Sequence, residues 1–501
     1  MARRSPEHPA SQQDLFLDGQ LREMNPWWSA QPTRQLPRTR RHLVKWVSRR
    51  LQLGLAPVVL VRGPRNVGKT IAQFQVIQDL LESGVHPHRI LRVQWDEVRA
   101  FRKLPQPILD VKRWYERVLL GSTLNQEAAA GRPCYLFFDE LQNLPNWDAQ
   151  LKSLVDHATV KVVVTGSSAL RLEMGRDSLA GRITTLDTGV LSLTEIAHFR
   201  GLALGQPALD DNGLDRVLDP DFWRALAARG LAGREARDEA FGCFSRVGGY
   251  PIAHERADID WPSLADQLNE SVIRRVIQHD LRVGERGRRR DAALLEELFR
   301  LACRYVGQCP SPTKLAQDVQ RSLGANVGPQ RVMQYLRFLD NTLLLRTVRP
   351  LEVRLKRSRG FSKLCLADHG LRASWLQELV PLEPGELAGR SDLGSLAGHL
   401  AESVVGTTLL SVQGLDLAHL PERKGEPEVD YVITVGDRRV PVEVKYQGQV
   451  DVERATRGLR AFLDRAEYRA PLGLLVTRGD GVAVDDPRVV AIPLSSLMLL
   501  R

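Results

Sequence analysis

The pattern of apolar and polar positions changes character twice along the chain. Residues 1–30 are polar, end in "NPWW" and read as a mobile segment. "RTRRHLVKWVSRRLQLG" then spaces Leu43, Trp46, Val47 and Leu51 as one face of a helix. From residue 57 short apolar runs take over: "PVVLV", "ILRVQW", "CYLFFD" and "VKVVVTG". Unbroken runs of this length predict strands covered on both faces, and amphipathic stretches separate them. Residues 31–190 therefore read as an α/β domain with a doubly wound parallel sheet. Beyond 190 the strand pattern stops. Residues 191–298 read as a helical linker region, with loops at "GLALGQPALDDNG" and "VGGYP" and a hinge at "VGERGRRRD".

Residues 299–365 predict a compact unit. "SPTKLAQDV" and "GPQRVMQYLRFLDNTLLL" are helices on either side of a turn with Gly324 and Gly328, and "LLLRTVRP" with "RSRGFSKLCLAD" makes a hairpin, an order that resembles a winged helix. Val332, Tyr335, Leu336 and Leu339 share the apolar face of the second helix, which leaves Gln330, Arg331, Gln334 and Arg337 outward. Such a face suits a major groove or packing between domains. Residues 366–501 form the last predicted domain.

Charge sharpens this picture. The formal net charge is +10, but residues 274–363 alone hold 20 Lys and Arg against 8 Asp and Glu. A basic middle between near-neutral flanks points to a polyanion, with nucleic acid, DNA favoured, as the expected partner; a solvated linker is the alternative. Only 11 of the 70 basic residues are lysine, so a surviving lysine marks a need for a compact point charge, and Lys69 and Lys445 are the best placed. The five cysteines lack CxxC spacing, no apolar run reaches about 18 residues, and the N-terminus has no apolar signal core. These features predict a cytoplasmic protein with no membrane partner.

The strongest chemical signal is "GPRNVGKT", residues 63–70, between an apolar strand and a helix. Gly63, Pro64, Arg65, Asn66, Val67 and Gly68 would wrap phosphates with backbone N–H groups, Lys69 would reach the terminal phosphates of ATP, and Thr70 would bind Mg²⁺. "YLFFDE" supplies Asp139 for the Mg²⁺ shell and Glu140 to polarise attacking water. After "VKVVVTGSSA", Thr165, Ser167 and Ser168 fall where an α/β sheet presents side chains to the γ-phosphate, and Ser167 is the chosen contact. Arg182 in "LAGRI" reads as an arginine finger for a neighbouring subunit or as a surface arginine.

A second cluster lies in "EPEVDYVITVGDRRVPVEVKYQG", residues 426–448. A two-residue loop at Gly436-Asp437 pairs residues whose numbers sum to 873, which sets Asp430 opposite Glu443. Two carboxylates about 4.5 to 5.5 Å apart repel, so the pairing asks for a cation. Lys445 is on the same face as Glu443. A three-residue loop would break this pairing, and Pro441 predicts an edge strand.

At these residues the chain resembles the AAA-type ATPases of bacteria and archaea, in particular those with a C-terminal uncharacterised domain of nuclease-like fold. The landmarks are "NPWW", "RGPRNVGKT", "FFDELQN", "TGSSA", "LAGRI", "GGYP", "VIQHDL", "YLRFLDNTLLL", "KLCLADHGL" and "VEVK", in that order. Asn66 departs from the pattern, where a second arginine is expected after Arg65. The resemblance implies a homo-oligomer, ring or dimer, and a C-terminal α/β fold like restriction endonucleases of the PD-(D/E)XK type. In such a fold Glu402, Asp430 and Glu443 would hold Mg²⁺ and Lys445 would assist phosphodiester cleavage. Two functions stay open: an ATPase that also cuts nucleic acid, or an ATP-dependent switch or loader whose nuclease-like domain only binds.

Overall fold

The computed structural model describes residues 12–31, 35–97, 101, 104–166, 177–209, 213–256, 258–279, 291–352, 360–422 and 428–501, with backbone only at 12, 13, 177, 278 and 279. Two compact units result: one runs to Thr188 without Pro64–Val67, and the other holds Pro64–Val67 and Gly189–Arg501.

In the first unit α1 (Gln12–Met24) and α2 (His42–Leu53) precede β1 (Val58–Arg62), α3 (Lys69–Glu82), β2 (Ile90–Gln94), β3 (Tyr135–Asp139), α4 (Trp147–His157), β4 (Lys161–Gly166) and β5 (Ile183–Asp187). The strands form a parallel sheet in the order β2-β3-β4-β1-β5. The four apolar runs are its four central and neighbouring strands, buried as their composition requires. β5, "ITTLD", was not expected, because it is an edge strand with mostly half-buried residues and lacks an apolar run. Since β4 lies between β1 and β3, the ends of the phosphate-loop strand and the Asp139 strand face each other across Thr165.

The reading of residues 1–30 as mobile needs correction over its described part. Leu17 and Leu21 of α1 and Trp27 and Trp28 are buried in the core of the first unit. Both indoles donate to the Ile90 carbonyl, at 3.1 and 2.8 Å. Asn25, fully buried, donates to the Arg92 carbonyl at 2.8 Å and accepts from the Arg92 amide at 2.6 Å. An edge strand leaves such groups without a ladder partner. "NPWW" supplies partners with side chains, and this need is invisible to a polarity count.

In the second unit, residues 191–304 form only helices among the described residues. Then follow α5 (Pro312–Leu323), α6 (Pro329–Asn341), β6 (Leu345–Pro350), β7 (Lys363–Leu366), α7 (Gly394–Leu410), β8 (Asp416–Leu420), β9 (Val429–Val435), β10 (Arg438–Lys445), β11 (Gly473–Thr477) and β12 (Val489–Pro493). Val332, Tyr335, Leu336 and Leu339 of α6 are buried, and Gln330, Arg331, Gln334 and Arg337 are exposed, as the periodicity predicts.

The predicted boundary at 365/366 does not survive. The β6–β7 hairpin is one end of a seven-stranded mixed sheet, β12-β11-β10-β9-β8-β6-β7. The other edge of β6 pairs in parallel with β8, Arg349 beside Ala418 and Pro350 beside His419. One apolar core extends from Leu191 to Leu500 through all three predicted segments. A wing with a free edge finds its partner in the following segment, and β7 thereby joins the C-terminal chemistry.

The β9–β10 register follows the predicted arithmetic, from Arg438 beside Val435 to Val442 beside Tyr431. Gly436 has φ 61°, the positive value that the first central residue of a type II′ turn requires. The ladder ends at Val442, one position short of Asp430 and Glu443, and beyond it the Asp430 side chain reaches β10 by accepting from the Val444 amide at 2.9 Å. β10 is an interior strand, contrary to the expectation from Pro441, but its pairing with β11 begins only at Val442. Pro441 therefore lies on a stretch with a single neighbour, where its missing N–H is tolerated.

Candidate functional site

The phosphate loop leaves β1 through Gly63. A Cβ there would lie 2.4 Å from the Thr188 carbonyl oxygen, so only glycine lets the two chains pass. Asn66 has φ 60°, a left-handed conformation that asparagine tolerates better than most residues, which accounts for the departure noted in the motif. Gly68 is the N-cap of α3, so the helix N-terminus opens onto the loop. Lys69 is only 6% exposed, and its ammonium donates to the Gly63 carbonyl at 2.9 Å. The loop thus holds its cation in place by a bond that phosphate oxygens can exchange.

Asp139, at the C-terminal end of β3, is 1% exposed and gathers three donors. The Thr70 hydroxyl donates to Oδ2 at 2.8 Å, Arg92 of β2 donates to the same oxygen at 3.0 Å, and the Thr165 hydroxyl donates to Oδ1. Gln73 of α3 in turn donates to the Thr165 hydroxyl at 2.9 Å. Thr70 of α3 and Asp139 of β3, the oxygens expected to serve Mg²⁺, therefore meet from a helix and a strand, and a hydroxyl beside a carboxylate fits this oxygen-seeking ion. Bound there, Mg²⁺ would neutralise charge on the terminal phosphates.

Glu140 follows at φ 52°, left-handed for a non-glycine residue, with its carboxylate accepting from Gln142. Such strain costs of order 1–3 kcal/mol and is kept where the surroundings impose it. Here the Glu140 amide donates to the Thr165 carbonyl at 2.9 Å, which holds the turn at the sheet's C-terminal edge. Arg92 and Thr165 are the partners that sequence reasoning missed or underweighted. Arg92 sits in an apolar strand run, where a charge signals a buried counter-ion.

Ser167 and Ser168 lie outside the described residues. Arg182 stands just before β5, at the opposite end of the sheet from the phosphate loop of its own chain, and is ion-paired with Asp156 of α4.

The predicted C-terminal residues do converge. Glu402 comes from α7, Asp430 from β9, and Glu443 and Lys445 from β10. The cation between the acids, however, is a residue the sequence reading placed in a wing. The Lys363 ammonium of β7 lies 3.0 Å from Glu402 Oε2 and 3.0 Å from Asp430 Oδ1, its side chain 2% exposed. It also stands 4.8 Å from the Tyr431 ring centroid. The other Asp430 oxygen accepts from the Val444 amide at 2.9 Å, and Lys445 donates to Glu443 at 2.6 Å. The assembly is rigidly backed: the Leu366 amide donates to Ser403, next to Glu402, at 2.9 Å, and the Tyr431 hydroxyl donates to the Glu402 carbonyl at 2.7 Å.

Electrostatics agree with an ionic cluster. Burial raises the Glu402 carboxyl to about 8, helped by the Asp430 charge and opposed by Lys363. Burial and Asp430 raise Glu443 to about 7, against Lys445. Burial works against the Asp430 carboxylate too, but Lys363 and the Val444 amide outweigh it and hold it below its usual range. Three carboxyls face two ammoniums, and of the three Glu402 and Glu443 are the ones whose surroundings favour the protonated form. Among the described residues no group of three or more His, Cys, Asp or Glu is arranged to hold a metal ion. The predicted Mg²⁺ role of Glu402 and Asp430 is at odds with the geometry, because an ammonium occupies the space between them; Glu443 meets Lys445 through Oε1, and its Oε2 is buried with no hydrogen-bond partner among the described residues. His399 Nδ1 lies 3.9 Å from Glu402, at the margin of the cluster.

No helix among the described residues is long and apolar enough to cross a membrane. Residues 56–197 match the AAA domain family, residues 244–380 a domain of unknown function (DUF8612), and residues 397–497 another (DUF4143). The uncharacterised protein Rv2008c of Mycobacterium tuberculosis is 23% identical over 437 residues, covering 84% of this chain and 80% of its own. The uncharacterised protein MJ1637 of Methanocaldococcus jannaschii is 31% identical over 120 residues, 24% of this chain and 23% of the relative. MJ1544 of the same organism is 26% identical over 164 residues, 31% of this chain and 32% of the relative. The chain thus spans a third or less of the length of the two archaeal relatives. With the cradle of Lys69, Thr70 and Asp139 inside the matched span, the N-terminal region of this chain is an AAA-type P-loop domain.

Proposed function

We propose that the chain is an ATP-hydrolysing switch or loader: the first unit binds ATP with Mg²⁺ and hydrolyses it, and the second unit, nuclease-like in fold, engages nucleic acid, DNA favoured, without cutting it. The observation that carries this reading is the contrast between the two acidic clusters. Thr70 and Asp139 offer Mg²⁺ a hydroxyl and a carboxylate beside the phosphate loop, whereas Glu402 and Asp430 are spanned by Lys363. Lys69 would move from the Gly63 carbonyl to the phosphates, and Glu140 would polarise water. The exposed Gln330, Arg331, Gln334 and Arg337 of α6 support a polyanion surface. Arg182 is remote from its own cradle and ion-paired with Asp156, so a finger role would be played only towards a neighbouring subunit of a homo-oligomer.

The test combines ATP turnover by wild type, Lys69→Ala and Glu140→Gln with binding of labelled DNA over a salt series. The reading requires hydrolysis lost in both variants and DNA affinity that falls with log salt at about −0.9 per phosphate contact. Salt-independent binding, or none, would remove the nucleic-acid half. A cleaving enzyme is the second reading, favoured by the convergence of Glu402, Asp430, Glu443 and Lys445. Mg²⁺- or Mn²⁺-dependent cutting lost in Lys445→Ala would establish it.

A further inference from the structure

We infer that Lys363 is the resident cation of the C-terminal cluster, an ionic lock built into the fold that excludes divalent metal from Glu402, Asp430 and Glu443. The inference deepens the non-cutting reading and gives it a physical cause. Three observations support it. The Lys363 ammonium is 3.0 Å from a carboxylate oxygen on each side and its side chain is 2% exposed, so it is a desolvated, committed partner and not a surface lysine folded inward. Its strand is fixed at both edges: β7 pairs with β6 on one side, and the Leu366 amide donates to Ser403 of α7 on the other. The strand that carries the cation is therefore tied to the helix that carries Glu402. Finally, Asp430 spends its second oxygen on the Val444 amide at 2.9 Å, and Lys445 takes Glu443 Oε1 at 2.6 Å.

A divalent ion at this place would have to displace Lys363, and the displaced ammonium would be left in an apolar interior beside Tyr431 and Cys365, both fully buried. Breaking a buried ion pair in this way is strongly destabilising, and the displaced amine would have to give up its proton or find another partner. The lock is thus specific to the ammonium's length and place on β7, and removing it exposes three carboxyls that then need another cation.

The test uses the nucleotide-free full chain. Mn²⁺ titration followed by electron paramagnetic resonance is run on wild type, Lys363→Met and Lys363→Met/Asp430→Asn, together with thermal unfolding in EDTA and in Mn²⁺. Wild type is expected to show no Mn²⁺ site at the cluster and the same midpoint in both buffers. Lys363→Met is expected to unfold at least about 4 °C lower in EDTA, to recover in Mn²⁺, and to gain a Mn²⁺ site that the added Asp430→Asn removes. A folded Lys363→Met that gains no site would overturn the inference. So that it does not depend on that variant folding, Lys363 in wild type is also probed by acetic anhydride and mass spectrometry. It should stay unmodified with and without Mn²⁺, and Mn²⁺-dependent acetylation would overturn the lock. DNA cleavage by a wild type that passes both metal tests would refute the non-cutting reading alone and leave the lock standing.

Discussion

Arg92→Met isolates the electrostatics of the ATP site. The guanidinium and the Asp139 carboxylate are 3.0 Å apart, with side-chain exposures of 4% and 2%. Removing one member of such a buried pair costs about 3–5 kcal/mol, because the other charge is left without a counter-ion. Asp139 keeps the Thr70 and Thr165 hydroxyls, and methionine keeps much of the packing against Phe74, whose ring centroid lies 4.4 Å from the guanidinium carbon. The expected loss is therefore at the lower end, about 3 kcal/mol. For a domain of this size that is a fall of about 6–12 °C in unfolding midpoint. Calorimetry of the full chain without nucleotide reads it, with the relevant transition identified as the one that Mg²⁺ and ATP raise. Asp139→Asn in the Arg92→Met background should restore most of the loss, giving a coupling of about 2 kcal/mol or more across the double-mutant cycle. A midpoint shift under about 2 °C, or a double variant no more stable than Arg92→Met, would refute the reasoning that an orphaned carboxylate sets the cost.

Three further outcomes follow from the same geometry. Asn25→Ala leaves the Arg92 amide and carbonyl without their side-chain partners, so the first unit should lose about 2–6 kcal/mol by urea denaturation, two unsatisfied groups at about 1–3 each; a loss under about 0.5 kcal/mol would show that water replaces the side chain. Glu402, raised to about 8, holds a proton that the unfolded chain has lost, so its contribution is full below the ordinary carboxylate range and disappears as pH rises through 8. Between about pH 5 and 8 wild-type stability should fall relative to Glu402→Gln, by at most about 1.4 kcal/mol per unit, and parallel curves would contradict the assignment. Burial raises the thiols of Cys134 and Cys365 to about 11 and Cys303 to about 12, so at pH 8 Ellman's reagent should modify these three only on unfolding; rapid native labelling of any of them would place it at the surface.

What the sequence disclosed, and what it hid, divides by the range of the interactions. The phosphate loop, the Asp139 strand and the face of α6 are local patterns and read directly. The β9–β10 register also came from local information, since Gly436 and Asp437 fix the pairing of everything that follows. Residues 12–30 and β5 were misread because their order depends on strands far away in sequence, the β2 edge for the former and β1 for the latter. The same cause hid Lys363, which meets Asp430 across 67 residues and on a strand attributed to another domain.

Yet one sequence argument points at it. The hairpin arithmetic brings Asp430 towards Glu443 and so demands a cation, and the hydrogen bond of Lys445 goes to Glu443. With only 11 lysines among 70 basic residues, the chain offers few compact cations; two begin buried strands, Lys161 of β4 and Lys363 of "KLCLAD", and of these Lys363 is itself buried. Arginine would not serve there: a planar fork suits one carboxylate met edge-on, whereas Lys363 points separate donors at Glu402 and Asp430, in different elements, from beside the face of Tyr431. Lys69, Lys363 and Lys445 are thus lysine for one reason. Each places a compact point charge against backbone or carboxylate oxygens.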